Sequence, residues 1–203
     1  MKPMPKILAK ATPLSDVAAP NVHIAKAVRI LYSGGVIAYP TEAVFGLGCL
    51  PNAYSAIERL LTIKRRNWRK GLLLIASSLH QVQAYAKLPD GMMGDEVRAS
   101  WPGPVTWLLQ AHEDVPDWIT GGRNTVAIRI TQHPVARALC IRAGTAVVST
   151  SANISNRRPI TNQWVLRKQL GADLDCIING PLGGQRNPTV IRDASNGRLI
   201  RAD

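Results

Sequence analysis

The stretch "TAVVSTSANIS", residues 145–155, decides how the rest of the chain is read. Its first part, Thr145–Val148, is an apolar run suited to a buried strand. Its second, Ser149–Asn153, sets three hydroxyls and one amide in five consecutive positions with no charge among them. Locally that is an ST-turn or a helix N-cap, because Ser and Asn bond nearby backbone groups well. It is equally a row of neutral donors and acceptors at a strand end, where open α/β sheets bind ligands. The surroundings have to decide.

Outward from it, strands and helices interleave. Asn21 can cap a helix with the apolar face Ile24, Ala27, Val28 and Leu31, ending at Gly34-Gly35. "VIAYP" (36–40) is a buried strand, "TEAVFGLGC" (41–49) a turn-rich loop, and 53–64 a helix spaced on Ile57, Leu60 and Leu61. "LLLIA" (72–76) is a strand, followed by a helix around His80–Lys87. "WPGPVTWLLQA" (101–111) enters a strand through two prolines. "TVAIRI" (125–130) is a strand and 133–144 a helix, which leads back to the opening stretch. Beyond it come a helix over Asn162–Leu170, a strand at 176–179 and a loop over 180–188. The chain closes with two strands across the Asn196-Gly197 turn. This pattern predicts a single α/β domain over 21–203 with a twisted open mixed sheet, preceded by an N-terminal arm over 1–20.

The 203 residues carry 25 Lys+Arg against 13 Asp+Glu, a formal net charge of +12. Such an excess favours a polyanionic partner, either nucleic acid or a nucleoside triphosphate. The few aromatics do not alternate with the cations, which argues against a single-strand stacking platform. Three scattered cysteines suggest neither a disulfide framework nor a zinc motif, and no run is long and apolar enough to span a membrane. A cytoplasmic location is the expectation.

Four loops carry the candidate chemistry. Thr41 and Glu42 follow a buried strand, with Gly46 and Gly48 allowing close backbone approach. "KRRNWRK" (64–70) places five cations in seven residues, either a solvated helix end or a shared anion site. "WPGPVT" (101–106) is a rigid corner presenting Thr106. The opening stretch is the fourth, with Arg129 and Arg201 on other strands. Neither a P-loop nor a dinucleotide fingerprint, HExxH or GxSxG motif occurs, so the common motif-bearing enzyme classes lose support.

In order along the chain, "GGVIAYPTEAVFGLGC", "LLTIKRR", "WPGPVT", "TVAIRITQHP", "VVSTSANIS" and "NPTVIRD" resemble the YrdC-like family, most closely its short bacterial form. The resemblance runs from about Val22 to Asp203. It implies a twisted α/β sheet with a large electropositive cavity. It also implies a nucleotidyltransferase reaction: ATP, L-threonine and bicarbonate or CO2 give threonylcarbamoyl-AMP and pyrophosphate. The product feeds t6A modification at position 37 of tRNAs reading ANN codons, through a threonylcarbamoyl transferase complex of TsaD, TsaB and TsaE type. Mg2+ is expected with ATP, weak tRNA contact is possible, and no protein-bound metal or membrane is implied. The alternative, motivated by net charge alone, is a non-catalytic basic RNA-binding module.

By the same resemblance, Lys64 and Arg66 are the catalytic pair, at the phosphates and the threonine carboxylate. ATP is assigned to Arg66, Lys70, Thr106, Ser151, Asn153, Thr161 and Arg201, with Ser149 beside them. L-Threonine is assigned to Thr41, Lys64, Arg129 and Thr189. This chain departs from the family pattern at Asn67, where proline is common, and at Asn156, where glycine is usual. It also departs at Ile75, where longer relatives carry histidine.

Overall fold

The computed structural model describes residues 21–185 and 189–201, so the arm expected over 1–20 lies outside the described residues. Helix α1 (Asn21–Tyr32) buries Ile24, Ala27, Val28 and Leu31, the four positions its periodicity selects. Strand β1 (Ile37–Pro40) follows. The expected loop over 41–49 is in fact half strand: β2 (Phe45–Gly48) turns back antiparallel on β1, pairing Pro40 with Phe45 and Ile37 with Gly48. Alternating glycines hide it, since glycine lowers strand propensity. Gly48 is there for space, because a Cβ would lie 2.5 Å from the Val148 carbonyl oxygen and 2.9 Å from the Tyr39 ring.

Next come α2 (Tyr54–Lys64), β3 (Leu74–Ala76) and α3 (Leu79–Gln83). The helix expected to reach Lys87 stops at Gln83, because β4 (Ala86–Lys87) is drawn into pairing with β5 (Val105–Ala111). Between them α4 (Gly91–Ala99) was concealed by Gly91 and Gly94, poor helix formers. Then follow α5 (Asp117–Thr120), β6 (Thr125–Ile130), α6 (Pro134–Ala143), β7 (Val147–Val148) and β8 (Thr150–Ser151). Helix α7 (Gln163–Leu170) starts where Asn162 Oδ1 accepts from the Trp164 and Val165 amides, at 2.8 and 3.3 Å. Strand β9 (Cys176–Ile177) precedes the terminal hairpin of β10 (Val190–Asp193) and β11 (Leu199–Arg201), whose turn uses Gly197 at φ +71°.

The mixed α/β architecture is as expected, but the strands divide between two sheets. One has the order β8-β2-β1-β9; the other runs β11-β10-β5-β6-β3-β7, with β4 added on β5. Parallel pairs (β5 with β10, β3 with β6) alternate with antiparallel ones in the larger sheet, and β1 pairs parallel with β9 at the end of the smaller. Strands β1, β3 and β7 are buried on both faces. Ile37, Tyr39, Ile75 and Val147 pack toward α1 and α6, whereas Ala38, Leu74, Ala76 and Val148 join the larger core with α2 and α7. That is why these strands are continuous apolar runs in the sequence.

Candidate functional site: a cationic cavity at the junction of the sheets

The opening stretch is the junction. Val147 and Val148 pair with Ile75 and Leu74 in one sheet; two residues later, Thr150 and Ser151 pair with Leu47 and Gly46 in the other. Ser149 is the crossing residue, its amide donating to Leu73 O at 2.8 Å. The segment expected to be a loop is therefore a strand that changes sheets. Its short hydroxyl side chains fit beside Gly46, where a Cβ would sit 3.4 Å from Ser149 Oγ.

Between the sheets opens a cavity of about 580 Å3. Strand alternation sets its walls. Thr125, Ala127 and Arg129 of β6 line it while Val126, Ile128 and Ile130 face the core. Leu108 of β5, Ile191 of β10 and Ile200 of β11 form an apolar flank. Thr41–Val44 and Ser149–Ser151 also line it, as do Arg66, Lys70 and Arg123. Among the described lining residues there are four cations, Arg66, Lys70, Arg123 and Arg129, and a single carboxylate, Glu42. A multiply charged anion fits that balance.

Glu42 and Arg129 form a buried ion pair at 2.8 Å, through Arg129 Nη2 and Glu42 Oε2. Thr131 Oγ1 donates to the other carboxylate oxygen at 2.6 Å. Burial alone would raise the carboxyl, but the Arg129 charge and the two hydrogen bonds outweigh it and hold Glu42 at about 2. Arg129 keeps donors in reserve. Its Nε and Nη1 are buried without a protein acceptor among the described residues.

Lys64 is buried, with no carboxylate partner among the described residues. Its Nζ donates to the Ser151 carbonyl, to Asn153 O at 2.9 Å and, at 3.4 Å, to Asn153 Oδ1. Burial, and then the neighbouring Arg66 charge, push it down to about 8. The loop is wired internally as well. Ser151 Oγ donates to Asn153 Oδ1 at 2.5 Å, and Asn153 Nδ2 donates to Ile154 O and Arg157 O at 2.9 and 2.6 Å. Asn156 sits at φ +66°, in the left-handed region that favours glycine and that Asn tolerates best among larger residues.

Of the residues singled out from the sequence, Thr41, Arg66, Lys70, Arg129, Ser151 and Thr189 line the cavity, with Ser149. Lys64, Thr106, Asn153 and Thr161 are not among its lining residues. Lys64 lies behind the Ser151–Asn153 loop because its ammonium is taken up by that loop's oxygens. Thr106 is fully buried and shares a 3.2 Å hydroxyl contact with Thr189, so it stands behind the wall. Thr161 is exposed, next to the α7 cap. The Thr41 hydroxyl turns into its own bend, donating to Val44 O at 2.6 Å. The Arg201 side chain and Asn187-Pro188 of the last motif lie outside the described residues. Ile75 is fully buried toward α1 and α6, so it takes no part in the cavity wall.

The wall also holds residues given no role from the sequence, among them Arg123, Gln185 and Glu42. Arg123 follows Gly121 and Gly122, both at positive φ, and donates from Nη1 to Arg69 O at 2.9 Å. This tethers the basic segment, and the paired glycines were the available signal. Gln185 is held by its amide on Glu42 O at 2.9 Å. Glu42 itself was noted after β1 but given no role.

The Sua5/yciO/yrdC family model, which carries the description "Telomere recombination", matches residues 29–202. A threonylcarbamoyl-AMP synthase of Alkalilimnicola ehrlichii is 50% identical over 186 residues, 90% of this chain and 97% of that protein. One from Halorhodospira halophila is 47% identical over 88% of this chain and 94% of its own length. Among solved structures, P. abyssi Sua5 complexed with L-threonine superposes with a TM-score of 0.84 at 28% identity. That match covers 91% of this chain and 56% of the P. abyssi protein, so the present chain spans just over half of that longer relative. With a family model covering most of its length and relatives near half identical, this chain belongs to the Sua5/YciO/YrdC family.

Proposed function

We propose that the protein is an L-threonylcarbamoyladenylate synthase, consuming ATP, L-threonine and bicarbonate or CO2 and releasing pyrophosphate. The observation that carries this reading is the cavity's charge: four cations around one internally neutralised carboxylate, beside a row of neutral hydroxyls. The synthases named above, similar over nearly their whole length, support it over a non-catalytic RNA-binding module.

In this reading the carbamate oxygen of carboxylated threonine attacks the α-phosphorus of ATP, and pyrophosphate leaves with the bonding pair. No nucleophilic side chain is needed. The protein holds two anions in line and stabilises charge at phosphorus, which is catalysis by position and electrostatics. Arg66, with Lys70 and Arg123, is suited to the phosphates. Ser151 and its neighbours bond the nucleotide without adding charge, while Arg129, Thr41 and Thr189 take the threonine end. Lys64 supports Ser151 and Asn153 from behind, so its contribution runs through the loop. Mg2+ would be carried by the phosphates, because Glu42, the single acid on the described wall, has both oxygens engaged. The product would supply t6A formation on tRNA through a separate transferase complex.

Pure protein with ATP, Mg2+ and bicarbonate should release pyrophosphate with L-threonine, and roughly 10–200-fold less efficiently with serine, which lacks one methyl contact. Release that is independent of threonine and bicarbonate would end the proposal.

A further inference from the structure

We infer that Glu42 and Thr131 together are positioning residues that keep Arg129 singly engaged, so that its remaining donors can take the α-carboxylate of the amino-acid substrate. This rests on the proposed threonine site and deepens it. The planar groups of a buried Arg and Glu ordinarily pair in a fork, using two parallel N–H···O bonds. Here the fork is split. Thr131 Oγ1 donates to Glu42 Oε1 at 2.6 Å, while Arg129 reaches only Oε2, from Nη2 at 2.8 Å.

The consequence is an arginine that is charge-compensated enough to be buried yet not saturated. Arg129 is 6% exposed, lies on the cavity wall, and has Nε and Nη1 without an acceptor among the described residues. Buried donors left unpaired are costly, so an acceptor from the ligand accounts for them. The backbone reinforces the arrangement. Glu42 O accepts from Gln185 N at 2.9 Å and Thr41 O from Gly183 N at 3.0 Å, which fixes the bend that carries Glu42. Thr131 is itself held, its Oγ1 accepting from the His133 amide at 3.2 Å.

The test is calorimetric binding of L-threonine and of L-threoninamide, which lacks the carboxylate, to the wild-type protein, Glu42→Gln and Thr131→Val. Thr131→Val keeps the ion pair and near-identical volume, so it guards against a Glu42 variant that fails to fold. A loss of folded protein scales both ligands alike, so the ratio of the two affinities isolates positioning from stability. The wild type should prefer threonine by about tenfold or more. In both variants that preference should shrink to within about threefold, with ATP affinity little changed. Variants that retain the wild-type preference overturn the inference about Glu42 and Thr131 alone. A wild type that binds both ligands equally overturns the carboxylate assignment of Arg129 itself, and the inference with it.

Discussion

Two cations are buried among the described residues, and the protein treats them oppositely. Lys64 is surrounded by backbone and amide oxygens with no counter-charge among the described residues, and its pKa falls to about 8. Arg129 has a carboxylate partner, which is driven to about 2, and keeps two nitrogen donors unspent. A point-charge ammonium with three donors can fasten a loop by its carbonyls, while a planar guanidinium can bind one group and present its other donors elsewhere. The first arrangement builds a wall of the cavity. The second builds a contact on it.

That difference is sharpest in the cost of breaking each. Arg129→Ala leaves the Glu42 carboxylate buried and unpaired, and should destabilise the fold by about 3–5 kcal/mol in denaturant titrations. A loss within about 1 kcal/mol would mean that the pair is not buried in solution. Lys64→Met keeps the apolar stem and removes the ammonium, so it should cost less, about 2 kcal/mol. Its mark is local: the amides of residues 153–157 should exchange faster with solvent while the sheets stay protected. Lys64→Arg should not restore that protection, because a planar fork does not fit the same three oxygens.

Titration separates the two regions further. Both pKa values are lowered in the folded state, so in each window the unfolded chain binds more protons and stability rises with pH. For Glu42 the contribution is complete above about 4.5 and is lost as pH falls toward 2. For Lys64 the rise spans about 8 to 10.5. Denaturation midpoints of the wild type minus Glu42→Gln should show the acid limb, and the wild type minus Lys64→Met the alkaline one. Flat differences across those windows would contradict the burial of each group.

The same contrast explains what could be read in advance. Helices α1, α2, α6 and α7 were legible because their apolar spacing depends only on near neighbours, and the terminal hairpin because Asn196-Gly197 fixes its turn. Strand β2 was hidden by Gly46 and Gly48, whose small size serves contacts with Tyr39, Val148 and Ser149. Strand β8 has two polar residues and is a strand because β2 lies beside it. Within the site, "KRRNWRK" announced cations, but not that Lys64 is turned inward and Arg66 onto the cavity. Glu42 meets Arg129 across 87 residues of sequence, and no local pattern encodes that distance.

In the proposed reaction the cations on the cavity wall supply the chemistry, while the fastened loop supplies binding. ATP affinity measured beside the single-turnover rate of adenylate formation for Arg66→Ala and Ser151→Ala separates the two. Arg66→Ala should lower the rate far more than it weakens ATP binding. Ser151→Ala should mainly weaken binding, by about 0.5–1.5 kcal/mol, with the rate at saturation nearly kept. If Arg66→Ala loses affinity and rate in equal proportion, Arg66 is a binding group only and the division of labour between wall and loop is wrong.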